Sequence, residues 1–280
     1  MMKENGMREF KISCLPLTFY DDIRSRKMTV REWSELAKEI GFDAIDINAF
    51  FLKEMSIDQI CILRHQLTLP VHMATQYTDF TSPDPAVRER QLKMALDDIK
   101  RLEAIGARYY RPTAGQWYEG EDEAEAVEHV AEAFEVLGEE AQKAGIGLLL
   151  ENHSVTASWP KPDFVFDTDR FIKTWDRLKK LPVGINYDTA NAWFLEDHGE
   201  RLLDYCIGSG FIETLHINDW SAAENKCSVA GEGDVDIAPQ LAKIFESGYK
   251  GWITIEDVSF QGADGMRRAL ANVKRLCREL

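Results

Sequence analysis

Four ionisable residues stand where apolar, β-rich runs come to an end. Glu151 closes GLLLE, Asp188 closes VGINYD, His216 sits near the end of ETLHI, and Glu256 closes WITIE. Successive members lie 28 to 40 residues apart, about one β–α unit each. A leucine run that stops on a carboxylate suits a strand that crosses a packed core and emerges into a polar site. One acid at a strand end is commonly a helix cap or an ion-pair member, so the case rests on the four together. Three carboxylates at one point repel and raise one another's pKa, and a divalent cation removes that conflict. Three oxygen donors and one imidazole suit a single divalent ion, Mn²⁺ or Mg²⁺ first, with Co²⁺ or Zn²⁺ also compatible. Held there, such an ion is able to chelate a carbonyl oxygen and the hydroxyl oxygen beside it. It would acidify the adjacent C–H by stabilising the enediolate.

These positions demand a particular frame. Eight candidate strands recur along the chain: 10–14, 43–47, 69–73, 107–112, 146–151, 183–188, 213–217 and 252–256. Amphipathic stretches alternate with them. TVREWSELAKEIG opens on Thr29 and stops at Gly41, while the stretch from Ser82 carries prolines at its start and Gly106 at its end. EDEAEAVEHVAEAFEVLGEEAQKAG is acidic at its N-terminus, and DIAPQLAKIFESG offers Asp236 as a cap. Eight β–α units predict an α/β fold, a (β/α)₈ TIM barrel, read as one domain over 1–280. An open doubly wound sheet would show a Gly-rich loop after the first strand, but LPLTFYDDIRSR stands there.

Composition narrows the partners. The chain of 280 residues carries a net charge of −15, a field that repels nucleic acid and anionic membranes. Five widely spaced cysteines, with no C-x-x-C, predict reduced thiols in a cytoplasmic compartment. The polar start MMKENGMREFKIS predicts no signal peptide, and a homo-oligomer is compatible with the composition.

At ENH (151–153), YDTANAW (187–193), LHINDW (215–220), GEGDVDI (231–237) and GYKGWITIED (248–257) the chain resembles the sugar phosphate isomerase/epimerase superfamily, the xylose isomerase-like TIM barrels. The segment from Thr81 to Pro112 fits in order, so the resemblance covers nearly the whole chain. It implies metal ligation by Glu151, Asp188, His216 and Glu256, with Glu151 and Glu256 also moving protons as catalytic groups. The implied activity is isomerisation or epimerisation of a carbohydrate or sugar-like polyol ketone, a small-molecule substrate. The alternative is a lyase of inosose-dehydratase type. An endonuclease IV-like enzyme fits less well. Asn191 replaces a histidine that branch needs, Arg111 and Pro112 replace another, and GEGDVDI lacks its histidine. A non-catalytic carbohydrate-binding protein has little use for so complete a ligand set. The ketose 3-epimerase branch also expects histidine at Asn191 and arginine at Ala222, which puts a free ketohexose in question.

Further substrate-binding candidates surround this set. His72 is read as closing the third strand, His153 as facing the mouth two residues beyond Glu151, and Arg111 as pairing with an anionic substrate group. Each has a structural alternative: a hydrogen-bonded barrel histidine, a support for a ligand, a buried ion pair. Asn191 is read as a hydroxyl partner. Trp117, Trp159, Trp193 and Trp220 follow the fourth to seventh strands, and at least two are expected to wall the pocket. Asp219 is read as orienting a ligand or capping the next loop, and GEGD as a turn rather than an anion nest.

Overall fold

The computed structural model describes residues 10–155 and 159–280. Ten strands occur among them: β1 (Ile12–Leu15), β2 (Ala44–Asn48), β3 (Val71–Gln76), β4 (Tyr109–Pro112), β5 (Gly147–Glu151), β6 (Val183–Asp188), β7 (Ile212–Ile217), β8 (Asp219–Ser221), β9 (Lys226–Ser228) and β10 (Trp252–Glu256). Eight close into a parallel barrel in the order β1-β2-β3-β4-β5-β6-β7-β10, while β8 and β9 form an antiparallel hairpin. The seam is made by β1 and β10, with Leu15 opposite Glu256. The expected α/β barrel is therefore present. Among the described residues, no helix is long and apolar enough to cross a membrane.

Local chemistry explains where the helices begin and end. Thr29 accepts from the Glu32 amide and Glu32 returns a bond to the Thr29 amide, a reciprocal cap for Val30–Ile40. That helix stops at Gly41, whose φ of 105° a side chain would resist. Asp84 caps Pro85–Ile105, and Asp122 accepts from two amides at the start of Glu123–Lys143. Asp236 does precede Ile237–Glu246, but its side chain makes no capping hydrogen bond, which corrects that expectation. The main core lies between barrel and helices, where Trp33, Phe80, Phe134, Phe171, Trp175 and Phe245 are buried.

The barrel interior is differently filled. Met73, Tyr109 and Leu149 form a small apolar plug. Beside it runs a polar chain: Ser13 Oγ lies 2.8 Å from Thr254 Oγ1, Thr254 donates to Asp46 Oδ2 at 2.9 Å, and Ser13 Oγ is 3.2 Å from His72 Nδ1. An irregularity in β3 accounts for this mixture. Ile45 of β2 faces Val71, yet Ile47 faces Ala74, so β3 holds one extra residue. His72 and its neighbour Met73 consequently both meet interior partners. The His72 ring stacks on Trp252 at 4.5 Å.

Phe134 meets Phe80 edge to face at 6.2 Å and has no exposed surface. Phe134→Ala is expected to lose about 3–5 kcal/mol of stability, read as a lower urea midpoint at unchanged slope. A midpoint equal to that of the parent protein would contradict this account of the core.

Candidate metal centre and mouth cavity

Glu151, Asp188 and Glu256 are the last residues of β5, β6 and β10, and His216 is the penultimate residue of β7. Each offers one ligand atom, and the four atoms lie within 4.8 Å of one another. All four residues are buried. Parallel pairing produces this directly, because His216 sits opposite Asp188 while Glu151 sits opposite Asn186. Three side-chain amides then fix the carboxylates, and a fourth fixes the Asp188 backbone. Asn186 donates to Glu151 Oε2 at 2.9 Å. Asn218 donates to Asp188 Oδ2 at 3.1 Å and to Glu256 Oε2 at 3.0 Å. Asn191 reaches Glu151 Oε1 at 3.4 Å, and its own amide N–H donates to Asp188 Oδ1 at 2.7 Å. Asn152 brackets the Asp188 backbone, accepting from its N–H at 2.8 Å and donating to its carbonyl at 2.9 Å.

Charge is unevenly shared. Burial opposes ionisation of Glu151, but the Arg111 guanidinium, then His216 and His153, outweigh it and hold the carboxyl far below its usual range. Arg111 Nε lies 2.7 Å from Glu151 Oε2, both side chains essentially without solvent exposure. The contact is an ion pair rather than an aligned hydrogen bond, since the N–H does not point at the oxygen. Asp188 goes the other way: burial, with Glu256 and Glu151 beside it, pushes its carboxyl well above the carboxylate range. Burial would lower His216, yet Glu151 and Glu256 together push it up to about 9. Both His216 ring nitrogens are buried without a hydrogen-bond partner, although Nδ1 is 3.5 Å from Glu151 and 3.7 Å from Glu256. Three converging carboxylates beside an unpartnered imidazole are a donor set that fits one divalent cation.

A cavity of about 890 Å³ opens above this cluster, and Glu256, Asn191, Asn218 and His153 line it. His153 Nδ1 stands 3.3 Å from the buried Asp163. The other candidates are placed differently. His72 does not close its strand: β3 continues to Gln76, and His72 belongs to the Asp46 and Ser13 chain in the lower barrel. Arg111 lies under the cluster, paired with Glu151, rather than in the cavity wall. Trp117 is stacked on Phe164 at 6.1 Å and covered by the Arg170 guanidinium at 4.5 Å. Trp193 stacks on His198 at 5.3 Å. Neither borders the cavity, because in both loops a nearer ring captures the indole. Trp159 approaches Tyr77 edge-on at 6.4 Å, and Trp220 alone of the four borders the cavity.

Several site residues escaped sequence reasoning. Tyr77, just past β3, borders the cavity with its ring 5.9 Å from the Arg111 guanidinium. Asn186 and Asn218 were passed over because an amide carries no charge to attract notice. Their spacing from the candidate ligands was the available signal, with Asn186 two residues before Asp188 and Asn218 two residues after His216. Asp219 proves to be the centre of its own loop. Its Oδ2 accepts from the Gly231 and Gly233 amides at 2.9 Å each, and its Oδ1 from Trp220 at 2.8 Å and Val235 at 3.1 Å. The GEGD amides thus surround an anion that the chain itself supplies. A side chain at Gly233 would meet Asp219 Oδ1 at 2.3 Å.

A family model described as xylose isomerase-like TIM barrel matches residues 34–276. No curated protein sequence matches the chain at a significant level. Among solved structures, D-allulose 3-epimerase from Methylomonas sp. is 18% identical, covering 96% of this chain and 98% of its own, with a TM-score of 0.75. The 3-keto-D-glucoside 4-epimerase of E. coli is 17% identical, covering 95% and 100%, also at 0.75. A structure described as the probable 3-DHS dehydratase from Bacillus anthracis is 15% identical, covering 94% and 98%, at 0.73. At these identities the likeness is one of fold.

Arg111→Leu would leave Glu151 as a buried carboxylate without its cation, and about 3–5 kcal/mol of stability should be lost at neutral pH. Glu151 has a depressed folded-state pKa, so the pair's contribution is complete above the unfolded value near 4.5 and fades as pH falls through the folded one. The stability gap between parent and variant should therefore shrink in acid. Urea titrations at two pH values measure it, and a gap that widens in acid would contradict the assignment.

Proposed function

Since the chain belongs to the xylose isomerase-like TIM barrel family, we propose that it is a divalent-metal-dependent isomerase or epimerase acting on a sugar or sugar-like polyol ketone. The observation that carries this reading is the convergence of Glu151, Asp188, His216 and Glu256 beneath an open cavity. The structural neighbours named above, two of them sugar epimerases, support it. Bound at the cluster, Mn²⁺ or Mg²⁺, with Co²⁺ or Zn²⁺ as alternatives, would supply Lewis-acid polarisation of a carbonyl and its neighbouring hydroxyl.

The chain's own groups then divide the work. Glu256 borders the cavity and is the glutamate best placed to take a proton from the carbon beside the ketone. The C–H electron pair moves into the carbonyl, whose oxygen gains the negative charge. Glu151, on the far flank, returns or removes a proton at the other face, with Arg111 and Asn186 setting its position. Asn191 and His153 border the space where hydroxyls would lie and are assigned to hold them. Return of the proton to the opposite face gives an epimer; return to the neighbouring carbon gives an isomer. Departure of a β-hydroxyl from the same starting point would give the dehydration that is the alternative reading.

Metal analysis after gel filtration should find one ion per chain in the Mn²⁺-loaded protein and essentially none in His216→Ala. A variant that retains the ion would remove His216 from the ligand set. Incubation with D-allulose, D-tagatose and an inosose in deuterated water should show C–H exchange without loss of water. Glu256→Gln should slow it by roughly 10²–10⁴-fold. Loss of water from the product would decide for the lyase, and no exchange with any ketone would sink the enzymatic reading.

A further inference from the structure

The cavity is large and most of its rim is apolar, a combination that a free monosaccharide does not require. About 890 Å³ is near the upper end of the range for sites that enclose drug-sized ligands. On the floor Glu256, Asn191, Asn218 and His153 surround the candidate ligand cluster, and Asp21 and Arg24 place one charged pair of residues on the Tyr20 side of the cavity. Tyr20, Val155, Phe166, Phe194, Trp220 and Phe260 line the space above. Phe260 is 72% exposed and Val155 66%, more than any other large apolar residue among those described, and Phe194 is 44% exposed. Scattered apolar residues on a surface are ordinary, but three around one opening mark a ligand groove. Phe260 also holds φ at 54°, a left-handed conformation that a bulky residue adopts only under constraint. Phe194 meets Trp220 edge to face at 5.3 Å, so part of this wall is already ordered.

We propose that the substrate has two ends: a keto-polyol head that reaches the floor, and an aryl or alkyl substituent that packs against Phe194, Trp220 and Phe260. This rests on the reading of the floor as a ketone site and adds the chemical class of the remainder. Rim and floor belong to one continuous cavity, so a single molecule can fill both. Burial of one phenyl group against these rings should strengthen binding by roughly 10- to 100-fold.

The test uses the Mn²⁺-loaded protein with 6-O-methyl and 6-O-phenyl D-allulose, ethers that leave the ketone end free. Calorimetry should give the phenyl ether the tighter binding by at least about tenfold. In Phe194→Ala and Phe260→Ala, both altered at exposed positions, that advantage should fall to less than about threefold. Equal affinities in the parent protein, or no detectable binding of the phenyl ether, would overturn the proposal. So would an advantage that survives both substitutions. Sedimentation velocity covers the remaining occupant: if the substitutions dissociate an oligomer and leave the preference intact, the rim is a contact between copies of the chain and the proposal is wrong. C–H exchange in the same samples separates the two layers. A phenyl preference without exchange keeps the two-ended ligand and removes the reaction; exchange of both ethers with equal affinity does the reverse.

Discussion

Three carboxylates and an imidazole buried within a few ångströms of one another are a repulsive arrangement that most of the upper barrel is organised to hold. Placing the groups is the simple part, because parallel strands in register deliver their last residues to one ring. Keeping them there requires compensation. Arg111 supplies a buried positive charge to Glu151, and Asn186, Asn191 and Asn218 supply N–H donors without adding further charge. Neutral donors matter here, since a second buried cation would compete with a metal for the same oxygens.

The asymmetry of that compensation shapes the chemistry. Glu151 receives an arginine and two amides, whereas Glu256 receives the single amide of Asn218 and borders the cavity. The two glutamates are equivalent in the sequence pattern and unequal in their surroundings. Their roles should differ accordingly, one fixed and shielded, the other open to a ligand.

Much of the frame was legible because it rests on local signals. Strand β6 and strand β10 have the expected bounds, Thr29 opens its helix as expected, and Gly41 and Gly106 end theirs, although Asp236 makes no cap. The convergence of the four candidate ligands was legible too, since each stands at or next to the end of an apolar run. Side-chain direction inside the barrel was not. His72 went astray because β3 runs three residues further than its apolar pattern, and because an extra residue alters its facing. Trp117 and Trp193 went astray because membership of a mouth loop does not fix which way a ring turns. Arg170 and His198, the partners that decide it, lie elsewhere in the chain or just outside the motif.

Asp219 has a consequence for how the opening above the cluster can vary. The turn from 231 to 235 closes on one carboxylate rooted at the first residue of the β8–β9 hairpin, and that carboxylate answers four backbone amides without enlisting any side chain of the turn. The connection behaves like a hoop with one main rivet and two lesser ones, the Asp234 N–H donating to the Trp220 carbonyl at 2.8 Å and the Ala222 N–H to Asp234 Oδ2 at 2.7 Å. The hairpin tip at residues 223–225 lies outside these links and outside the β8–β9 pairs, so it can change size and polarity while the hoop keeps its outline and the floor beneath is left untouched.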